Sequence, residues 1–284
     1  MNFAILFSYH VNASTCLSRI RTLRRLNPGV SIHGLFTGGV GTNSQFLEVA
    51  TLLESNYRHP VAPAAWLWQN YDKVICRWFL DCGHALEWDF LFVHAWDLVV
   101  LAPLRSYLEG MTQEEVFVPG VRPLELMDED IVDPREEPVN PGNWSWVRLG
   151  SENLSSFQNY CLSSFGQKPA LFCEVSPFAV LSREFCVRYS AVAEPIPGFT
   201  EYRFPTLVPL LGFRFAERTQ SADFWRYFNA AKKPISLHSI ESEAAHIDGA
   251  RLFHPVYETL SETLVSPAWS LDRPEVTDGC FSTV

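Results

Sequence analysis

Residues 87–104 read Glu-Trp-Asp-Phe-Leu-Phe-Val-His-Ala-Trp-Asp-Leu-Val-Val-Leu-Ala-Pro-Leu. Two apolar runs, Phe90–Val93 and Leu98–Leu101, flank a polar interruption that contains His94 and Asp97. A short apolar run of this kind is typical of a strand buried on both faces. A carboxylate at the end of such a strand costs free energy unless a metal ion, a ligand or an arginine pairs with it. Asp97 therefore either caps the following turn or marks the ligand end of a parallel strand, where open α/β sheets bind their ligands.

The start of the chain has a strand–helix–strand pattern. The apolar run Phe3–Ser8 is followed by helical periodicity over Ser14–Leu26, the helix-ending sequence 27–29 and a second apolar run, Val30–Phe36. This order predicts parallel strands joined by a right-handed crossover. The glycine-rich turn Thr37–Gly41 matches neither a dinucleotide fingerprint nor a Walker loop, so a plain loop is favoured over a phosphate cradle.

The remainder of the chain continues to alternate helical and strand patterns. Helices are expected at Phe46–Glu54, Trp66–His84, Ser155–Phe165 and Ser182–Tyr189, and strands at Val116–Val118, Leu171–Ser176 and Phe178–Leu181. The acidic, proline-punctuated segment Leu124–Pro141 reads as a long loop. The pattern predicts an α/β fold with a parallel sheet, formed by residues 1–284 as a single domain.

Composition excludes several classes of protein. A formal net charge of −10 argues against a nucleic-acid partner, because phosphate binding requires a positive surface. The seven cysteines include no Cys-x-x-Cys pair, which argues against a disulfide framework or a structural zinc site and favours a reducing compartment. The apolar run at the N-terminus is too short for a signal peptide or a transmembrane segment, so we expect a cytoplasmic protein.

Four short segments carry chemically useful side chains. They are Ser8-Tyr9-His10, His94-Ala95-Trp96-Asp97, Glu201-Tyr202-Arg203-Phe204-Pro205-Thr206 and Phe253-His254-Pro255-Val256. Together they resemble the nucleotide-sugar-dependent glycosyltransferases of the GT-A fold. That resemblance implies a GT-A-like α/β fold with a Rossmann-like, mixed but mainly parallel sheet flanked by helices. In this fold residues 1–104 form the nucleotide-binding half, and residues 105–284 form the acceptor half and the C-terminal segment.

The resemblance implies a metal site. The family places an Asp-x-Asp-type motif after a central hydrophobic strand and often completes the site with a C-terminal histidine; Asp97 and His254 hold these positions. The family's first acid is replaced by Ala95, so only one carboxylate remains. One carboxylate can still hold Mg²⁺ or Mn²⁺ together with waters and phosphates, and an imidazole favours Mn²⁺. An enzyme that works without a metal ion is the open alternative. His94, three residues before Asp97, is expected to have a structural role.

Several residues are candidates for binding the nucleotide. Ser8, Tyr9 and His10 follow the first strand and are expected to contact a nucleoside diphosphate together with the strand-end acid. The resemblance further implies nucleotide contacts for Asp72 and Arg77 on the tryptophan-rich helix. A surface ion pair between those two residues is the open alternative.

Two glutamates are candidates for acid–base work. Glu201 follows a loop signal, and a carboxylate there can deprotonate an acceptor hydroxyl. Arg203 could keep that carboxylate ionised or pair with a phosphate, and a purely structural Glu–Arg contact is the alternative. Glu174 is the second candidate, because the family often has an acid on that strand. Trp144 and Trp146 could stack on sugar faces or pack as core.

The sequence therefore predicts a glycosyltransferase that moves a sugar from a UDP- or GDP-sugar to a hydroxyl on a small-molecule or glycan acceptor. A non-catalytic nucleotide-sugar or carbohydrate-binding protein on the same scaffold is the alternative, motivated by Ala95. A hydrolase has no support, because the chain contains neither a Gly-x-Ser-x-Gly elbow nor a His-Glu-x-x-His motif.

Overall fold

A computed structural model describes residues 1–38, 43–59, 64–124, 131–132, 138–139, 151–174, 178–216, 234–246, 249–261 and 264. Trp144 and Trp146, most of the acidic segment and Cys280 lie outside the described residues. The six cysteines within them are free thiols. Every helix in this part of the chain is too short or too polar to cross a bilayer.

The described elements alternate along the chain. The strands are β1 (Phe3–Tyr9), β2 (Ile32–Phe36), β3 (Ser55–Arg58), β4 (Phe90–Ala95), β5 (Val99–Val100), β6 (Glu115–Val116), β7 (Arg122–Pro123), β8 (Ile131–Val132), β9 (Pro138–Val139), β10 (Phe172–Cys173), β11 (Phe178–Ser182), β12 (Arg214–Phe215) and β13 (Leu252–Phe253). The helices are α1 (Ala13–Leu26), α2 (Leu47–Thr51), α3 (Ala64–Gln69), α4 (Tyr71–Asp81), α5 (Glu152–Phe165), α6 (Arg183–Val192), α7 (Thr200–Leu210) and α8 (Leu237–Ala244). Short 3₁₀ turns occupy Asn43–Phe46, Gly83–Ala85 and Leu104–Leu108.

A five-stranded sheet in the order β11-β4-β1-β2-β3 forms the centre. β4, β1, β2 and β3 run parallel, and β11 pairs antiparallel with β4. The predicted mixed, mainly parallel sheet flanked by helices is confirmed. Since β11 comes from the second half of the chain, both predicted halves contribute strands to one sheet.

Both faces of the central strands are buried, as the apolar runs predict. Leu6 and Leu91 belong to a buried cluster that includes Val74 of α4. Phe7 lies on the opposite face, in a second cluster that includes Ile20 of α1. Alternate residues of one strand point to opposite faces, so α4 and α1 cover the two sides of the sheet.

The helical predictions need three corrections. The segment Trp66–His84 is two helices, α3 and α4, interrupted at Asn70, whose side-chain amide donates to the carbonyl oxygen of Trp66 (3.1 Å). The helix expected over Phe46–Glu54 ends at Thr51, and the chain then forms the edge strand β3, which has no apolar alternation to reveal it. The segment around Glu201 is the first turn of α7 instead of a loop.

Asp97 lies two residues beyond β4, in the turn between the two apolar runs. The second run forms β5, which leaves the central sheet and pairs antiparallel with β13, so that Val99 lies opposite Phe253. This pairing brings the chain near residue 254 to the end of β4. The backbone N–H of Val256 donates to the carbonyl oxygen of Asp97 (2.7 Å).

Candidate functional site

A cleft with a volume of about 360 Å³ lies at the carboxyl ends of the parallel strands. It is lined by six residues that the sequence singles out, and these come from distant parts of the chain: Ser8, His10, Asp97, Glu174, Glu201 and His254. Open α/β sheets bind ligands at this edge. The cleft is therefore the candidate ligand site.

Asp97 and His254 form an interacting pair in the cleft. Oδ2 of Asp97 lies 3.4 Å from Nε2 of His254, and the two side chains are 17% and 15% exposed. Burial raises the pKa of Asp97. The hydrogen bond and charge of His254, a backbone N–H and the charge of His10 together lower this pKa by more than burial raises it. The net pKa of Asp97 lies below its ordinary value, so Asp97 is a carboxylate at neutral pH.

Glu174 and Glu201 both line the cleft and are joined through their backbones. The backbone N–H of Glu174 donates to the carbonyl oxygen of Glu201 (2.9 Å). This carbonyl is available because a helical residue accepts from the residue four positions later, which here is Pro205 and has no N–H. The proline inside α7 thus leaves an acceptor that docks the strand carrying Glu174 against the helix carrying Glu201.

The two glutamates differ in their surroundings. Glu174 is 7% exposed, and its Oε2 has no hydrogen-bond partner among the described residues. Burial raises the pKa of Glu174 well above its ordinary value, and the negative charges of Glu201 and Asp72 raise it further. Glu174 therefore keeps its proton to a higher pH than an ordinary glutamate and can donate a hydrogen bond, as neutral carboxylic acids in apolar sites do.

Aromatic rings border the cleft on two sides. Trp96 stacks on Tyr257, with ring centroids 5.6 Å apart and planes inclined by 11°, and the ring of His10 meets Trp96 edge-on at 5.8 Å. On the other side, Trp68 is 53% exposed and packs edge-on against Phe199 at 4.9 Å. Such surfaces suit the flat faces of bases and the apolar faces of sugars.

Four predicted site residues do not line the cleft. Tyr9 points into the core, where its ring meets Phe36 at 5.3 Å. Arg77 lies on the surface and pairs with Asp81 (3.0 Å), because residues four apart share one face of a helix. The expected alternative, a surface pair between Asp72 and Arg77, is therefore wrong. The other two residues, Asp72 and Arg203, are buried.

Asp72 and Arg203 pair with each other in the core, 131 residues apart. Nη2 of Arg203 lies 2.5 Å from Oδ1 of Asp72, and Nε lies 2.8 Å from Oδ2. Tyr189 donates to the same carboxylate, and the carbonyl oxygen of Gly198 and the amide oxygen of Asn70 (3.3 Å) accept from the guanidinium. Burial raises the pKa of Asp72, but Arg203 lowers it more, so the pair is ionised. It fixes α4 against α7. Neither predicted role for Arg203, beside Glu201 or on a phosphate, matches these contacts.

His94 has the structural role that the sequence predicts. It is 1% exposed, and its Nδ1 donates to the carbonyl oxygen of Ala95 (2.8 Å). Burial lowers its pKa to about 3, which keeps the imidazole neutral.

The charge of the cleft decides which ligands it can hold. Its described lining contains three carboxyl groups and two histidines but no lysine or arginine. No group of three or more His, Cys, Asp or Glu side chains within the described residues is placed to hold a metal ion. Asp97 and His254 nevertheless fit one ion as a partial ligand set, since two donors on the same cation lie at most about 4.2 Å apart. Phosphate oxygens and waters supply further ligands to such cations.

Seven further residues line the cleft that the sequence analysis does not name as site residues: Thr37, Leu67, Trp68, Tyr71, Ala95, Trp96 and Thr200. Thr37 directly follows β2, so the rule that ligands gather at the carboxyl ends of parallel strands identifies it. Trp96 adjoins Asp97 and is found with it. Trp68, Tyr71 and Thr200 reach the cleft through tertiary packing, for which the sequence offers no local signal.

The fold and the cleft define an open α/β protein with its ligand site at the carboxyl ends of parallel strands. No protein-family model and no curated protein sequence matches the chain. Among solved structures, it aligns with the apo structure of WbbM, a bifunctional glycosyltransferase, with a TM-score of 0.47 and 9% identity over 91% of this chain and 46% of that chain.

Two further solved structures align over a smaller part of the chain. One is glucosyl-3-phosphoglycerate synthase from Mycobacterium tuberculosis in complex with phosphoglyceric acid, with a TM-score of 0.33, 15% identity and coverage of 64% of this chain and 57% of that chain. The other is a mycobacterial protein, with a TM-score of 0.33, 14% identity and coverage of 64% and 54%. This chain spans about half the length of these structures.

Proposed function

We propose that the cleft binds a nucleoside-diphosphate sugar and transfers its sugar to a hydroxyl of an acceptor. The observation that carries the proposal is the convergence of Ser8, Asp97, Glu201 and His254, from four distant segments, on one cleft at the carboxyl ends of the strands. The cleft volume of about 360 Å³ lies within the range of small-molecule sites.

The donor is proposed to lie at the Asp97 end. A diphosphate is anionic and this cleft lacks a fixed cation among its described lining residues, so a divalent cation has to enter with it. Asp97 and His254 would hold Mn²⁺ or Mg²⁺, and such an ion neutralises charge on a departing nucleotide. Trp96, stacked on Tyr257, offers a flat surface next to this pair.

Glu201 is proposed as the general base. A base has to be ionised before it accepts the proton of the acceptor hydroxyl, and burial works against ionisation of Glu174. We assign Glu174 the role of a neutral hydrogen-bond donor to a sugar hydroxyl or to the carboxylate of Glu201. Trp68, beside this pair in the cleft, offers an apolar surface for the acceptor.

Calorimetric titration of UDP, GDP and dTDP, each with and without MnCl₂, tests the donor site. A ligand at a hundred times its Kd adds about 2.7 kcal/mol to the free energy of unfolding, so thermal shift can confirm each result. Absence of binding for all three nucleotides under every condition would refute the proposal.

Glutamine variants test the assignment of the base. Glu201→Gln should lose a factor of about 10² to 10⁴ in kcat, the usual effect of removing a general base, while its nucleotide Kd stays unchanged because the donor is held at Asp97. Glu174→Gln is the matched control: it replaces a neutral carboxylic acid with a neutral amide and should lower kcat much less. The reverse order of effects would show that Glu174 is the base.

A non-catalytic binding protein is the second candidate, because Ala95 stands where the resembling family has its first motif acid. Release of free nucleotide from a bound nucleotide sugar separates the two. Even slow hydrolysis without an acceptor, abolished in Glu201→Gln, identifies an enzyme, whereas tight binding with no turnover identifies a binding protein.

A further inference from the structure

Helix α1 is hydrogen-bonded to the segment that follows β13, although the two are more than two hundred residues apart in sequence. Nη2 of Arg19 donates to the carbonyl oxygens of Val256 (3.0 Å) and Glu258 (2.8 Å). The hydroxyl of Thr15 donates to the carbonyl oxygen of Tyr257 (2.9 Å). All three acceptors are backbone carbonyl oxygens, so these hydrogen bonds fix the position of the main chain of residues 256–258 and do not depend on its side chains.

The same segment is held from its other side and at its end. The N–H of Val256 donates to the carbonyl oxygen of Asp97 (2.7 Å), and the N–H of Leu260 donates to the hydroxyl of Ser18 (3.0 Å). The chain directly after His254 is therefore clamped between Asp97 and α1.

Arg19 is a charged residue at a buried position, which lowers the stability of the fold. It is 1% exposed, and within the described part of the chain no carboxylate forms a salt bridge with it. Its Nε and Nη1 atoms have no hydrogen-bond partner among the described residues. Burial lowers its pKa to about 10, which still leaves the guanidinium charged at neutral pH. A buried cation costs free energy that an apolar side chain of similar volume would avoid.

We propose that Arg19 is a positioning residue that holds His254 against Asp97 by clamping the backbone of residues 256–258. The inference rests on the proposed function, in which Asp97 and His254 hold a divalent cation beside the diphosphate. Arg19 hydrogen-bonds to neither of those side chains. Its charge interacts with that of Asp97, and its guanidinium holds the carbonyl oxygens of Val256 and Glu258. Groups hydrogen-bonded directly to metal ligands typically contribute 10- to 100-fold to metal affinity, and Arg19 acts one step further from the ligands, so we expect an effect near the lower end of that range.

Binding measurements on three variants test the proposal. The probe is MnCl₂ with UDP or GDP, whichever the wild-type protein binds more tightly, followed by calorimetry. Arg19→Met should weaken the Mn²⁺-dependent binding by about tenfold or more, and Thr15→Val should weaken it less. Arg21→Met is the matched control, because Arg21 is an exposed arginine of the same helix that pairs with Glu48 (3.6 Å). Unchanged binding by folded Arg19→Met overturns the proposal.

A double-mutant cycle separates positioning from a general loss of stability. If Arg19 acts through His254, Arg19→Met should have little further effect on binding once His254→Ala is present, since the two changes are then coupled. A full additional loss in the His254→Ala background would mean that Arg19 acts by another route, which overturns the proposal.

Hydrogen exchange supplies a readout that needs no ligand. Arg19→Met and Thr15→Val should accelerate exchange in peptides covering residues 252–258, where the Val256 amide lies, and Arg21→Met should not. Unchanged exchange in both clamp variants overturns the inference. Thr15→Val nearly preserves volume, so it decides the matter if Arg19→Met does not fold. If the wild-type protein binds no nucleotide, the proposed function fails, while the exchange result still judges the clamp.

Discussion

Replacing Asp97 with asparagine removes one negative charge from the cleft and leaves the side-chain volume almost unchanged. Oδ2 of Asp97 faces Nε2 of His254 at 3.4 Å, and the amide oxygen of asparagine can still accept from that nitrogen. The affinity for a nucleoside diphosphate with Mn²⁺ should therefore decrease, because the negative charge that attracts the cation is lost. We expect the Kd to rise by at least about tenfold, which corresponds to about 1.4 kcal/mol.

The effect of Asp97→Asn on stability should be small and should depend on pH. The pKa of Asp97 in the folded protein lies below its ordinary value of 3.8, so the carboxylate stabilises the fold above that pH, and this contribution is lost as the pH falls through the folded pKa. Hydrogen bonds to charged groups contribute about 1.5–3 kcal/mol. The long contact of 3.4 Å places this one at or below about 1 kcal/mol, or a decrease of about 2–4 °C in Tm.

Calorimetry for binding and scanning calorimetry for Tm measure the two effects separately. Asp81→Asn is the matched control, because Asp81 accepts from Arg77 (3.0 Å) and Tyr57 (2.7 Å) and also has a lowered pKa, yet does not line the cleft. The control should lose stability to a similar extent and keep its nucleotide affinity. An Asp97→Asn protein that binds nucleotide like the wild type would refute the role of Asp97 in the donor site.

Two further predictions concern buried carboxyl groups. Asp72→Asn breaks the ion pair with Arg203 and leaves a buried guanidinium without its charge partner, so the free energy of unfolding measured in denaturant should fall by about 3–5 kcal/mol. The folded variant should keep its nucleotide affinity, and a comparable loss of binding free energy would place Asp72 in the donor site. Glu174 has a raised pKa, so its contribution to stability is fully present below its ordinary pKa of 4.5 and is lost as the pH rises through the folded pKa. As the pH rises above 4.5, the Tm of Glu174→Gln should consequently increase relative to the Tm of the wild type. A difference in Tm that does not change with pH would contradict the raised pKa.

The part of the site that follows strand ends was predictable from sequence. The apolar runs of β1 and β4 predict parallel central strands, and residues after such strands meet at one edge of the sheet. Tyr9 could also be excluded from sequence, because side chains alternate along a strand, so Ser8 and His10 share one face and Tyr9 lies on the other.

Contacts between distant helices were not predictable in this way. Arg203 stands two positions from Glu201 in sequence, which suggested a local pair, but its partner Asp72 comes from α4. A proline four residues after Glu201 favours a loop from sequence alone, whereas Pro205 lies inside α7. Proline removes one helical hydrogen bond without always ending a helix, and here the freed carbonyl of Glu201 accepts from Glu174.

The charge of the cleft links these features to the choice of ligand. A chain with a net charge of −10 creates a field that repels a free diphosphate, and the described lining of the cleft adds carboxyl groups without any lysine or arginine. The raised pKa of Glu174 favours its neutral form, which reduces the negative charge next to the proposed base. At the donor end the carboxylate of Asp97 remains ionised, so the favourable partner there is a cation. Nucleotide affinity should therefore increase with the concentration of divalent cation, and the residues that keep Asp97 and His254 together set the cation concentration at which that increase occurs.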